Sequence, residues 1–154
     1  MGTQNLQENT VGASNTALGY NAMVYNVAQS EGVAVGYKAM QNANNSVTPG
    51  TSYNTAVGAY ALLGTGTAAN NTGQRNTAIG HSALRANTSG TNNTAIGQEA
   101  MRYNLTGNYN TTVGTNSMNG CGSCTGSGSY NTALGYTAMN NMDTGNYNTA
   151  VGSG

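Results

Sequence analysis

Apolar residues return along this chain in one short phrase, with polar residues held at fixed places between them. The phrase is N-T-A-(V/I/L)-G-x-x-A-(M/L), as in Asn76-Thr77-Ala78-Ile79-Gly80 followed by His81-Ser82-Ala83-Leu84. Copies begin at Asn15, Gly32, Asn54, Asn76, Asn93, Asn110, Asn131 and Asn148. The second is degenerate (Gly32-Val33-Ala34-Val35-Gly36), and the last ends at Gly152. The glycines of the phrase, from Gly19 to Gly152, are separated by 17, 22, 22, 17, 17, 21 and 17 residues. The basal unit is therefore 17 residues, with insertions in three units, all between the Ala-Met/Leu pair and the next Asn-Thr. They fall in 41–53, 63–75 and 119–130. A period that admits extra residues at one phase only predicts a solenoid with loops on one edge.

Seventeen residues punctuated by Gly and Asn leave no room for a helix of ordinary length, so each unit is predicted to be short strands and turns. Thr-Ala-Val/Ile-Gly is extended, with Thr77 and Ile79 on one face and Ala78 on the other. A second strand is expected at Ala83-Leu84, whose side chains would point to opposite faces. A turn such as Asn104-Leu105-Thr106-Gly107 closes the unit. The predicted architecture is all-β. It is a parallel β-solenoid or β-roll of about eight coils of ~17 residues, stacked about 4.8 Å apart into a rod on the order of 40 Å long. Residues 1–154 form one repeat domain. The chain opens within a partial repeat at Asn9-Thr10-Val11-Gly12 and stops within another, which is expected of a fragment of a longer fibrous protein.

On this reading Val/Ile/Leu and Met/Leu occupy one set of faces, and Ala and Gly the other. A narrow coil has one inside, so the Ala-rich face is expected to bury against sister chains, three rolls sharing an axis as a homotrimer. The alternative is a monomeric solenoid with an Ala-rich exterior.

Composition agrees with stacking rather than with a large core. Phe and Trp are absent, charged residues make up 5%, and the formal net charge is zero. Lys38, Arg75, Arg85 and Arg102 are scattered, which removes the electrostatic footprint expected of a nucleic-acid binder. No apolar run approaches a membrane span, and the N-terminus lacks an apolar signal core.

The N-T-A-V-G-x-x-A-L phrase with T-G-x-x-N-T between copies resembles the repeats of phage tail-fibre and related adhesin proteins. The Gly32–Gly36 copy is similar to the V-A-I-G head repeat of trimeric autotransporter adhesins, whose unit is shorter. The resemblance covers residues 9 to 152. It implies trimeric parallel β-rolls that bind surfaces in an extracellular setting, on a virion fibre or a bacterial cell surface. Its implied partners are sister chains and a host-surface glycan or protein.

Candidate chemistry is sparse. Cys121-Gly122-Ser123-Cys124 lies in the third insertion. It lacks the βαβ setting of a redox pair and the further ligands of a zinc site, leaving Cys121 and Cys124 as a loop disulfide or two free thiols. Glu8, Glu31, Glu99 and Asp143 are dispersed. His81 and Glu99 occupy neighbouring phases of adjacent coils and are expected to pair on the surface. No catalytic, cofactor or metal site is expected, and the chain reads as a non-enzyme. Tyr53, Tyr109, Tyr130 and Tyr147 each precede Asn-Thr, and the last three should stack as a ladder. They are candidate recognition residues that equally suit a structural role. Tyr20, Tyr37 and Tyr136 form a second set after the phrase glycine. Asn and Thr are expected to form side-chain ladders. Three roles remain: a trimeric fibre or adhesin segment with its insertions as the recognition surface, an ice-binding solenoid using the single Thr file, or an extracellular filament subunit without ligand.

Overall fold

The computed structural model describes residues 2–120, Gly122 and 126–154. It is an all-β parallel solenoid whose strands each contribute one rung. An eight-stranded sheet takes its rungs from β1 (Thr16–Leu18), β3 (Val33–Val35), β5 (Thr55–Val57), β6 (Thr77–Ile79), β7 (Thr94–Ile96), β8 (Thr111–Val113), β9 (Thr132–Leu134) and β10 (Thr149–Val151), in that order. A two-stranded ladder pairs β2 (Gln29–Ser30) with β4 (Gly50–Thr51). Register follows the phrase without a slip, for example Thr77↔Thr94, Ala78↔Ala95 and Ile79↔Ile96. The longer units do not disturb it, since Val33↔Thr55 and Thr55↔Thr77 align across the insertions. Among the described residues the only helical turn is a 3-10 turn at Ala68–Asn70, inside the second insertion.

The inward face differs from the expectation. Ala34, Ala56, Ala78 and Ala95 at the strand centres are fully buried, whereas Val57, Ile79 and Ile96 point outward. The coil is too narrow for a branched side chain from the strand. Its interior is filled from the opposite wall by Met23, Met40, Leu62, Leu84, Met101 and Met118, with a second alanine beside each of the first five. Burying a Leu or Met side chain contributes roughly 1.5–3 kcal/mol, so this file is the main apolar term. The coil carrying β8 departs from the pattern with two hydroxyls inside. The Thr112 hydroxyl donates to Met118 Sδ at 3.8 Å, and Ser117 Oγ donates to the Ala138 carbonyl at 3.1 Å.

The expected second strand is replaced by turns. Ala83 and Leu84, neighbours in sequence, are both completely buried. They can share a face because Leu84 has φ +50°, and a left-handed residue breaks the strict alternation of a strand. Ser82 has φ +57° and Arg75 +55°, and the same phases are left-handed in the other coils. Each such residue costs about 1 kcal/mol or more. Inter-coil backbone bonds offset it: Ser82 N donates to Ala59 O at 2.9 Å, Leu84 N to Ala100 O at 2.9 Å and Arg75 N to Ser52 O at 2.8 Å.

A buried asparagine ladder and a glycine file lock coil to coil. Asn76, Asn93, Asn110 and Asn131 are fully buried at the strand entrances. Each Oδ1 accepts from the backbone N–H of the next asparagine, as Asn93 N to Asn76 Oδ1 at 3.0 Å and Asn131 N to Asn110 Oδ1 at 2.9 Å. Each Nδ2 donates across the coil to a turn glycine carbonyl, Asn93 to Gly107 and Asn110 to Gly128, both at 2.8 Å. In the degenerate copy Gly32 has no side chain, and Ser52 Oγ accepts from Asn54 N instead, at 3.4 Å. The glycine of the phrase supplies the second constraint. Gly80 has φ +128°, and a Cβ there would stand 2.5 Å from the Gly97 carbonyl.

The N-terminal segment also corrects the sequence reading. Asn9-Thr10-Val11-Gly12 does not form a strand phrase. Asn9 Nδ2 donates to Gly12 O at 2.7 Å, the turn bond that Asn104 makes to Gly107. Gly2 holds the phrase-glycine place of the preceding coil, 17 residues before Gly19 and against its carbonyl.

Candidate recognition surfaces

The outward side of the eight-stranded sheet carries two parallel files. One is the threonine file, with Thr16, Thr111, Thr132 and Thr149 exposed and Thr55, Thr77 and Thr94 half-buried. Val33 stands in its second place. The other is aliphatic: Leu18, Val35, Val57, Ile79, Ile96, Val113, Leu134 and Val151. Ile79 remains 39% exposed and Ile96 37% at the middle of the rod, and Val151 reaches 72%. Neither file contains a charged residue. The structure thus leaves a branched apolar stripe outward, where the sequence reading placed alanine.

The tyrosine ladder flanks the threonine file. Tyr109, Tyr130 and Tyr147 stack with ring centroids 5.0 and 4.9 Å apart and interplanar angles of 8° and 6°. That separation is one coil rise, so the rings stack because the coils do. Each is about half exposed or more. Within the stack the ring faces cover one another, so edges and hydroxyls are what the ladder presents. Tyr53 lies in the same file but outside the stack; the Arg75 guanidinium packs over its ring at 5.4 Å. All four tyrosines have φ between +50° and +59°.

A second aromatic row follows the phrase glycine. Tyr20 stacks on Tyr37 at 5.7 Å, Tyr37 meets Tyr60 edge-on at 5.2 Å, and Tyr60 meets His81 edge-on at 5.8 Å. Sequence spacing puts His81 in the phase of Tyr20 and Tyr37 but misses Tyr60. Tyr60 sits one place later than its neighbours, with Ala59 in the equivalent position, and its left-handed backbone (φ +60°) accompanies a ring lying between Tyr37 and His81.

The insertions 41–53 and 63–75 are tied together. Asn71 Nδ2 donates to Asn42 O at 2.7 Å and to Thr65 O at 3.1 Å, while its Oδ1 accepts from Thr65 N at 3.1 Å. Beneath them Asn26, Gln29, Met40, Leu62 and Asn87 help line a cavity of about 30 Å³. It arises where Ala43 and Thr65 occupy the phase held by Asn26 and Asn87 in neighbouring coils. Such a space suits about two waters and is far below the size of a cofactor pocket. The Asn87 Oδ1 nearby has no hydrogen-bond donor. It lies against Gly90, 2.3 Å from where a Cβ would stand, the geometry of a weak Cα–H contact.

His81 and Glu99 do not pair. The Glu99 carboxylate accepts from Arg102 at 3.0 Å, one helical-type turn along its own coil, and this is the only salt bridge among the described residues. Side chains three apart meet more readily here because the turn folds back within a coil. Cys121 and Cys124, with their expected disulfide, lie outside the described residues. Among the described residues no group of three or more His, Cys, Asp or Glu gathers as a metal site, and no helix is long and apolar enough to cross a membrane. No family model, curated protein or solved structure matches this chain.

Proposed function

We propose that this chain is a non-enzymatic structural and adhesive segment of an extracellular trimeric fibre, of the phage tail-fibre or bacterial surface-adhesin kind. The observation that carries this reading is the uncharged aliphatic file running the length of the rod. Its exposed area is on the order of 500 Å², at the upper end for a monomer's largest apolar patch. Together with the threonine file it approaches the roughly 800 Å² per partner of a stable interface. Sister chains share its repeat, so rung can meet rung along the whole face. The insertions and the exposed tyrosines would then recognise a surface through many weak contacts, multiplied by symmetry and by length.

Light scattering at micromolar concentration tests the assembly. The expected mass is three times the 15.6 kDa chain. Ile79→Glu with Ile96→Glu should reduce it to one chain while the circular dichroism of the coil persists. A stable single-chain particle for the parent protein would reject the fibre reading. Trimming 41–53, 63–75 and 119–130 to basal length tests recognition separately, by loss of cell-surface binding.

One observation favours a second reading, an ice-binding solenoid. The threonine file has a parallel companion file two residues along each strand, and both stay in register through the insertions. A regular flat face of this kind suits an ordered water lattice. Thermal hysteresis in the parent protein, abolished by Thr77→Lys, would support it over the fibre.

A further inference from the structure

We infer that the row Tyr20–Tyr37–Tyr60–His81, with Lys38 and Arg85 beside it, is a binding site for an acidic glycan. This gives the adhesive reading a ligand class, and its biological meaning rests on that reading. The site itself is built on one chain, whatever the assembly.

The rings are continuous over four coils, with consecutive centroids 5.2 to 5.8 Å apart. Lys38 Nζ lies 5.5 Å from the Tyr37 centroid, and the Arg85 guanidinium 5.9 Å from that of Tyr60. The aromatic row and two permanent cations thus share one strip of surface. Neither cation is in a salt bridge, the one such pair among the described residues being Arg102 with Glu99. No carboxylate occupies the first, second or fifth position after the phrase glycine in these four coils: the first acidic residue at such a position is Glu99, one coil further on. Two cations on an aromatic row, with the carboxylate on the next coil already paired to Arg102, form a concentrated positive feature in a chain of zero net charge.

The chemistry selects among anionic polymers. A nucleic acid draws its affinity from many phosphate contacts and from bases stacked on free ring faces. Here there are two permanent cations, and the rings touch one another, so no base can enter between them. Phenol edges and hydroxyls beside a guanidinium and an ammonium fit a hydroxyl-rich chain carrying spaced carboxylates. Arg85 can hold a carboxylate by two parallel hydrogen bonds, and Lys38 supplies a point charge two rungs away.

Calorimetric titration with oligogalacturonate, its neutral methyl ester and oligodeoxythymidine tests the site, with particle mass read on the same samples. The acid form should bind at least about tenfold more tightly than the ester, a step of about 1.4 kcal/mol. Lys38→Gln with Arg85→Gln should erase that preference, and Tyr37→Ala should weaken binding with the fold retained by circular dichroism. Equal affinity for acid and ester, tighter binding of the oligonucleotide, an unchanged acid preference in the Lys38→Gln, Arg85→Gln variant, or no binding at all would overturn the proposal. Because mass is read in parallel, failure to bind by an assembled particle is distinguished from failure of the fibre reading.

Discussion

The backbone N–H of Asn110 donates to Oδ1 of Asn93 at 3.0 Å, and the same asparagine passes its own Nδ2 across the coil to the Gly128 carbonyl at 2.8 Å. The Asn110 side chain in turn accepts from Asn131 N through Oδ1 at 2.9 Å, so each carboxamide is acceptor to the next layer and donor across the coil. Only a carboxamide of this length offers both functions there. Asn93→Asp keeps the shape and loses the donor toward Gly107, while placing a carboxylate in a fully buried site. We expect a loss on the order of 3 kcal/mol at neutral pH, measured by urea unfolding. The sign with pH follows from burial, which raises the carboxyl pKa in the folded state above its unfolded value. The variant's deficit should therefore shrink as pH falls into the carboxyl range, where the neutral acid can donate. A deficit that grows towards acid pH would contradict this account of the ladder.

The glycine of the phrase makes a prediction that depends on position along the rod. At Gly97 a Cβ would meet the Gly114 carbonyl at 2.5 Å, and φ is +133°. At Gly152 φ is nearly the same, +132°, but nothing lies within 4 Å. Gly97→Ala combines strain with a backbone clash and should cost at least about 3 kcal/mol; Gly152→Ala carries the strain alone, about 1–2 kcal/mol. Thermal unfolding of the two variants measures the difference. Equal shifts would mean that stacking does not set the requirement for glycine.

Leu84 tests the turn geometry. It is completely buried at φ +50°. Leu84→Met should change stability by less than about 1.5 kcal/mol, because methionine fills the same place in neighbouring coils. Leu84→Ile keeps the volume but places a β-branched residue in the left-handed region, where it is a true outlier, and should cost about 2–3 kcal/mol more. Chemical denaturation of both variants would decide between shape and backbone conformation as the constraint.

These residues also show what the sequence made legible. Spacing of the phrase glycines was enough for the period, the parallel register and the phase of the insertions, because a glycine file can stack only on itself. It was enough for the Tyr109–Tyr130–Tyr147 stack for the same reason. The inside of the coil differs from the expectation because Ala83-Leu84 is not a second strand with alternating faces: both point inward, and the Val/Ile/Leu place is left outside. Left-handed conformations at Ser82 and Leu84 carry no glycine or asparagine to announce them. A signal was nevertheless present. The strand centre is alanine in every coil except that of Thr112, while the place beside it varies among Val, Ile and Leu. Invariant smallness marks the narrow interior, and freedom among branched residues marks the outside. The Tyr60–His81 contact was hidden by a one-residue offset that only the conformation of Tyr60 resolves.

Tyr130 separates stacking from strain in the exposed ladder. Its ring lies between Tyr109 and Tyr147, and its backbone is held at φ +59°. Tyr130→Ala removes two stacked contacts and keeps the strained conformation, so it should cost about 1–3 kcal/mol. Tyr130→Phe retains both contacts and should stay within about 0.5 kcal/mol of the parent, since the hydroxyl is at the exposed edge. Tyr130→Gly removes the ring and the strain together. Relief of roughly 1 kcal/mol of left-handed strain should make it less damaging than the alanine variant, against the usual order for these two residues. Unfolding of the three variants, with near-ultraviolet circular dichroism to follow the remaining rings, reads the two effects apart. A glycine variant less stable than the alanine one would show that Tyr130 is not held in the left-handed region, and that the ladder rests on something other than stacked rings over a strained corner.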